Sequence, residues 1–248
     1  MAGQRYDKYD PIAWCYSRGW GKDFHERMPA VLHDWVFPRL APGARVLDLC
    51  CGSGDLTVPL QAAGFKVTGL DGSAEMLAFA RARVPEAEFI LADARNFHFE
   101  NKFDAVLSTF DSLNHILVLE ELECAFRNVY NALVDGGLFM FDMNMQESFE
   151  TLWQGTFATV EPEYVTLTRG RYDVEEKIGR AQITTFRQQQ EGVWTRADVE
   201  VLERCYTEAE ILNALERAGF TSITVRDAYE VGMRGANALG RAFFFAVK

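Results

Sequence analysis

From Arg45 onward the chain repeats one pattern: a short apolar run, then a stretch whose apolar positions fall three and four apart. The runs predict strands at about 45–50, 66–70, 88–91, 103–108 and 138–143, and the intervening stretches predict helices at about 54–63, 73–83 and 118–133. Gly64 ends the first of these helices. Ser73 caps the second, whose inner face carries Met76, Leu77 and Ala80. Strand and helix alternating in this way predict a parallel sheet with right-handed crossovers.

Upstream, Met28, Val31, Leu32, Trp35 and Val36 recur at helical spacing, so about 24–40 reads as one helix, and Pro42-Gly43 separates it from the first strand. Downstream the alternation fails between 150 and 206. Segments 164–172, 178–187 and 193–204 are rich in Thr, Val, Ile and aromatics, which predicts a three-stranded antiparallel meander. Thr207 then caps a helix over 208–218, Gly219 ends it, and strands at about 220–227 and 241–247 close the sheet.

The expected organisation is an aromatic, helical lid segment over 1–43, an α/β domain over 44–149 and 207–248, and an inserted β-rich subdomain over 150–206. A chain of 248 residues, 48% hydrophobic and 25% charged, has the composition of an ordered globular protein. Its formal net charge of -11 opposes binding to a polyanion, so no nucleic acid partner is expected. No run of about 18 apolar residues marks a membrane span, and the expectation is a soluble cytoplasmic protein. The five cysteines form no Cys-x-x-Cys pair and the four histidines show no ligand spacing, so no metal is expected.

Chemistry concentrates where the first strand meets the first helix, in Val46-Leu47-Asp48-Leu49-Cys50-Cys51-Gly52-Ser53-Gly54. Glycine lets a turn expose main-chain N–H groups to a ligand at a helix N-terminus. A pyrophosphate there would be repelled by Asp48, and no third glycine follows Gly54 at the dinucleotide spacing. A cationic nucleoside suits the acidic turn better, and S-adenosylmethionine is such a ligand. Asp71, ending the second strand, is placed to accept the ribose hydroxyls, and Asp93 and the N–H of Ala94, after the third, to meet the adenine edge.

Five segments, VLDLCCGSGDLT, VTGLDGSAEML, FILADARNF, FDAVLSTFDSLNHI and GGLFMFDMN, resemble in order and spacing the class I S-adenosylmethionine-dependent methyltransferases, over about 44–143. The resemblance is to the small-molecule type, similar to aminosugar and glycine N-methyltransferases. The resemblance implies a Rossmann-like seven-stranded, mostly parallel sheet with helices on both faces and an antiparallel last strand. It assigns the methionine portion to Asp48, Gly52 and Gly54, the ribose to Asp71, the adenine to Gly72, Met76, Asp93 and Ala94, and the approach to the sulfonium to Thr109 and Phe110. Cys50 departs from it, standing where the family usually has glycine.

Methyl transfer from a sulfonium needs mainly orientation, and a base only where the nucleophile arrives protonated. His115, in the loop after the fourth strand, is the candidate base; the alternative is that it caps or packs on the next helix. Asp111 either anchors an acceptor amine or forms a turn. Tyr16, Arg18 and Trp20 lie where similar enzymes fold over the cofactor, with Arg18 able to pair with the methionine carboxylate. The insertion, with Arg169, Arg171, Trp194 and Arg196, either walls the acceptor or forms a homodimer surface. The expected activity is methylation of a small molecule, N-directed slightly ahead of O-directed; the alternatives are a non-catalytic cofactor-binding protein or a nicotinamide oxidoreductase. No motif encodes the acceptor.

Overall fold

The structure, a computed structural model, describes residues 8–248, so Tyr6 and the other residues of 1–7 lie outside the described residues. The chain opens with a 3-10 turn at Asp10–Ile12 and two short helices, α1 (Ala13–Arg18) and α2 (Trp20–His25). A further helical stretch begins at α3 (Pro29–Val31) and continues through a π turn at Leu32–Val36 and a 3-10 turn at Phe37–Arg39. The single helix expected over 24–40 is thus interrupted after His25. Pro29 restarts it at a first-turn position, where a missing N–H breaks no helical bond.

The α/β alternation follows as β1 (Arg45–Leu49), α4 (Thr57–Ala62), β2 (Lys66–Asp71), α5 (Ala74–Arg83), β3 (Glu88–Leu91), β4 (Phe103–Ser108), α6 (Leu119–Ala132), β5 (Leu133–Asn144) and α7 (Gln146–Thr151). A second sheet is formed by β6 (Gly155–Val160), β7 (Tyr164–Asp173), β8 (Ile178–Gln190) and β9 (Val193–Arg204). The chain then completes the first sheet with α8 (Glu208–Ala218), β10 (Thr221–Asp227) and β11 (Arg241–Val247). The strand order is β10-β11-β5-β4-β1-β2-β3, and β11 runs antiparallel to both β10 and β5. This is the seven-stranded sheet with an antiparallel last strand that the sequence led us to expect.

Two expectations need correction. The insertion has four strands, not three, because β6 pairs with β7 at the sheet edge, where most of its residues stay exposed and leave no burial pattern to read. The fifth strand starts at Leu133 instead of 138, running through Gly136 at φ +75° with a register shift against β4.

Both faces of the main sheet are covered, which is why its strands read as continuous apolar runs. Leu47, Val106, Phe139, Phe141 and Phe244 pack against α6 and α8 through Phe126, Val129, Ile211 and Leu215. Their sequence neighbours Val46, Ala105, Met140, Phe243 and Phe245 face the other way, against Phe24, Met28, Val31, Leu32 and Val36. The stretch from Phe24 to Val36 therefore supplies one covering layer of the sheet. Ile12, with Tyr9 and Trp20 beside it, packs on Ala181, Ile183 and Val201 of the second sheet, which holds that sheet over the carboxyl ends of the parallel strands.

Candidate active site

The turn after β1 uses left-handed backbone three times, at Cys50 (φ 60°), Gly52 (φ 51°) and Gly54 (φ 79°). A Cβ on Gly54 would lie 3.2 Å from both Cα and Cβ of Ala80, so glycine is what lets α5 press against the turn. Cys50 adopts the same backbone region with a side chain, at a cost of roughly 1–2 kcal/mol. That is the physical reason a glycine is usual there.

Asp48 points behind this turn. Its Oδ2 accepts from Thr57 Oγ1 at 2.6 Å, and burial pushes its carboxyl up to about 7, against the hydrogen bonds from Thr57. The side chain thus occupies the N-terminal end of α4, the place a phosphate would otherwise take. Asp71 does the opposite and faces the cavity. Its two oxygens accept from the N–H groups of Gly52 and Ser73, both at 2.8 Å, which ties the turns after β1 and β2 together. Each oxygen keeps a lone pair for a ligand.

The N-terminal segment is fastened across these turns. Ser73 Oγ donates to Asp10 Oδ1 at 2.5 Å, and Arg83 donates to the carbonyls of Ser17 at 2.8 Å and Ser53 at 3.0 Å. This brings the rings of Tyr16 and Trp20 to the cavity rim, with Phe110 stacked on Phe24 at 4.4 Å and 6.1 Å from Tyr16.

Between the strand ends and the second sheet lies a partly open cavity of about 450 Å³. Cys50, Gly52, Asp71, Gly72 and Met76 line one end together with Tyr16, Trp20 and Phe110. The inner face of the second sheet lines the other through Phe157, Thr159, Thr168, Gly170, Ile183 and Val201. Strand alternation turns Arg169 and Arg171 outward from Thr168 and Gly170, while Trp194 and Arg196 sit on an exposed part of β9, so these four do not line it.

Six other residues singled out from the sequence lie off the cavity wall: Arg18, Asp48, Gly54, Asp93, Ala94 and Thr109. The Arg18 side chain is half exposed, stacked on Trp14 and 3.8 Å from Glu163. Asp93 pairs with Arg95 at 2.6 Å, and Ala94 is buried beside it. Thr109 Oγ1 meets His25 Nε2 at 2.9 Å.

Between the two ends lies an acidic pocket that strand spacing did not reveal. Phe110 (φ 62°) and Asp111 (φ 49°) are consecutive left-handed residues, and their N–H groups both donate to the Asp142 carboxylate, at 2.8 and 3.1 Å. Arg241 bridges Asp142 and Asp111 with one guanidinium, 2.5 Å from Asp111 Oδ1. His115 Nδ1 is 2.9 Å from the carbonyl of Leu202, which only accepts, so Nδ1 carries the proton and Nε2 accepts from Tyr9 Oη at 2.7 Å. Burial lowers the pKa of His115 and keeps the ring neutral, although Asp111 pulls the other way.

Glu203, on β9, completes the pocket. It is 3% exposed, Asn144 Nδ2 donates to its Oε2 at 3.2 Å, and its Oε1 is 3.6 Å from His115 Nε2. Burial, then the charge of Asp111, raises its pKa well above the usual carboxylate range. The functional atoms of Asp111, His115 and Glu203 all lie within 4.8 Å of one another, close enough to hold a cation. Sequence reading missed Glu203, Arg241, Asp142 and Tyr9, although one signal was present: Glu203 shares the inward parity of Val199 and Val201.

The residues at the Asp71 end fit S-adenosylmethionine. A carboxylate with free lone pairs suits ribose hydroxyls, and the Tyr16, Trp20 and Phe110 rings suit a sulfonium. Comparison with known proteins agrees. Residues 46–137 match the model of the methyltransferase domain family. The chain is 33% identical over 135 residues to the Bacillus subtilis (strain 168) protein YqeM, covering 51% of this chain and 55% of that one. It thus spans about half the length of that relative. It is 34% identical over 179 residues to the dTDP-3-amino-3,6-dideoxy-alpha-D-glucopyranose N,N-dimethyltransferase of Streptomyces fradiae, covering 71% of this chain and 69% of that one. In fold it is similar to an S-adenosylmethionine-dependent methyltransferase from Clostridium acetobutylicum ATCC 824, with a TM-score of 0.80 at 23% identity over 96% of this chain and 98% of that one. The glycine turn, the strand-end carboxylates and these likenesses together make the chain a member of the S-adenosylmethionine-dependent methyltransferase family.

Proposed function

We propose that the chain methylates the nitrogen of a small, hydroxyl-bearing amine. The observation that carries this is the convergence of Asp111, Glu203 and a neutral His115 inside the cavity, next to the Phe110 end where the methyl donor would lie. Buried carboxyl groups suit an acceptor that arrives as an ammonium ion. The Streptomyces relative is named for N-methylation, which supports the nitrogen over oxygen.

When bound, S-adenosylmethionine supplies an electrophilic methyl group, and the protein's own contribution is placement and exclusion of water. Asp71, Gly52, Gly72 and Met76 would hold the nucleoside. Tyr16 and Trp20, fastened by Asp10–Ser73 and Arg83–Ser17, would cover it. We assign the second sheet to the acceptor. Thr168 Oγ1 is buried on that wall with no hydrogen-bond partner among the described residues, so a hydroxyl on the acceptor would satisfy it. The five cysteines are free, as suits a reducing cytoplasm.

The test is incubation of purified protein with S-adenosylmethionine and a panel of D-glucosamine, glycine, 3-amino-1,2-propanediol, D-glucose and glycerol, read by mass spectrometry. Mass gain of one or two methyl groups on amines supports the reading. Methylation confined to D-glucose or glycerol, or cofactor binding with no transfer to any compound, overturns it.

A further inference from the structure

Resting on the amine reading above, we infer that Glu203 is the group that takes the acceptor's proton, with His115 and Tyr9 as the outlet for it. An amine in neutral water is mostly ammonium and has no lone pair to attack with. Some group in the cavity must therefore hold that proton during transfer.

His115 is less suited to do this directly. Its Nδ1 proton is fixed on the Leu202 carbonyl, and its one free lone pair, on Nε2, already receives the Tyr9 hydroxyl. Glu203 Oε1 receives no such donor among the described residues: His115 Nε2 lies 3.6 Å from it, and the Asp111 carboxyl is within hydrogen-bonding reach of the Glu203 side chain. The Asp111 and Glu203 carboxyls, were both ionised, would turn lone pairs on each other. A proton on Glu203 removes the clash.

The groups around Glu203 come from several elements, and together they favour that proton. Asp111, in the turn after β4, and His115 lie close to it and Tyr9 faces it from the N-terminal segment, while the N–H that Asn144 of β5 donates and the positive charge of Arg241 of β11 oppose. Arg241 is committed to Asp111 and Asp142, which are themselves two carboxylates for one guanidinium. The pocket thus keeps an excess of acidic groups over fixed cations. Burial raises the proton affinity of Glu203 in the same direction.

The balance is simple. At rest Glu203 holds a proton. The charge of an entering ammonium drives it out through His115 Nε2 and Tyr9 Oη to water. The ammonium then gives one of its own protons to the ionised Glu203, leaving a neutral amine and a neutral carboxylic acid. The nitrogen lone pair then forms the C–N bond as the C–S bond breaks, its electron pair staying on sulfur. Positive charge moves from sulfur to nitrogen, and the methylated product leaves as an ammonium ion. Glu203 is left protonated, as it was at rest, and one proton has gone to water for each methyl group transferred.

Glu203→Gln keeps the shape of the side chain and cannot take the proton. Calorimetry with S-adenosylmethionine should find its affinity within about threefold of the wild type, showing an intact fold. With 3-amino-1,2-propanediol, kcat/KM at pH 7 should fall by about 100-fold. The deficit should shrink about tenfold per pH unit toward the amine's own pKa, where the acceptor arrives neutral, and Glu203→Asp should restore part of the rate at pH 7. Infrared spectra without acceptor should show a protonated carboxyl band at neutral pH in the wild type that is missing from Glu203→Gln. Methylation confined to D-glucose or glycerol overturns the amine reading and this inference with it. Amine methylation with the same pH profile in both proteins, or a wild type lacking the carboxyl band, overturns the role of Glu203 alone.

Discussion

Arg241, the first residue of the last strand, places one guanidinium nitrogen 2.5 Å from Asp111 Oδ1, and Asp111 is held in left-handed backbone by the same Asp142 that Arg241 binds. All three are nearly fully buried. The shape of the loop that carries Phe110 to His115 therefore depends on a cation contributed from the far end of the chain.

Arg241→Met should consequently destabilise the protein by about 3–5 kcal/mol, because it leaves two buried carboxylates without their counter-ion. Urea unfolding measures this directly. A loss below about 1 kcal/mol would show that the carboxyls simply become protonated and that the bridge contributes little.

Asp48 and Asp71 make a contrasting pair. Asp71→Ala should weaken S-adenosylmethionine binding by about 10- to 100-fold, as expected for charged hydrogen bonds lost at a ligand and at two turns. Asp48→Asn should change that affinity far less, since its side chain lies behind the turn. Its effect belongs to stability: with a folded pKa near 7 and an unfolded value near 4, Asp48 holds a proton in the folded state that the unfolded chain releases. That contribution is full below about pH 4 and is lost as pH rises to about 7, so the advantage of Asp48→Asn over the wild type should grow across that interval. Calorimetric melts at several pH values check it, and a pH-independent difference contradicts it.

His115 carries the opposite sign. Its pKa is lowered by burial, so below about pH 6.5 the unfolded chain binds a proton that the folded one refuses. Stability from this group is present above that pH and is lost on acidification. The wild type should lose more melting temperature between pH 7 and pH 5 than His115→Asn does. Parallel melting curves for the two proteins would refute the buried, neutral ring.

Cys50→Gly should leave stability within about 1 kcal/mol of the wild type, because relief of the left-handed strain offsets the greater freedom of glycine when unfolded. Cys50→Val should cost more, being branched at a position with φ 60°. Equal stability of the two variants, by urea unfolding, would mean the turn adapts.

Prolonged dialysis against a chelator should leave methyl transfer unchanged, since Asp111 is already paired with Arg241 and His115 already has a partner on each ring nitrogen. Loss of activity restored by a divalent cation would instead assign an ion to Asp111, His115 and Glu203.

Much of this protein was legible in its sequence because periodicity and turn chemistry are local. Apolar runs fixed the strands of the main sheet, Ser73 and Thr207 marked helix starts, and Gly52 and Asp71 marked residues that line one end of the cavity. Strand β6 and the break after His25 were not legible, since an exposed edge and a restarted helix leave no periodic signature. The side on which a carboxylate falls was also beyond sequence: Asp48 and Asp71 both end near the turn, yet one backs it and the other faces the cavity. Tertiary structure alone decided the acidic pocket, whose members come from the N-terminal segment, the loop after β4 and three strands. Their separation along the chain hides them, and only the second sheet, folded over the strand ends, brings Glu203 to His115.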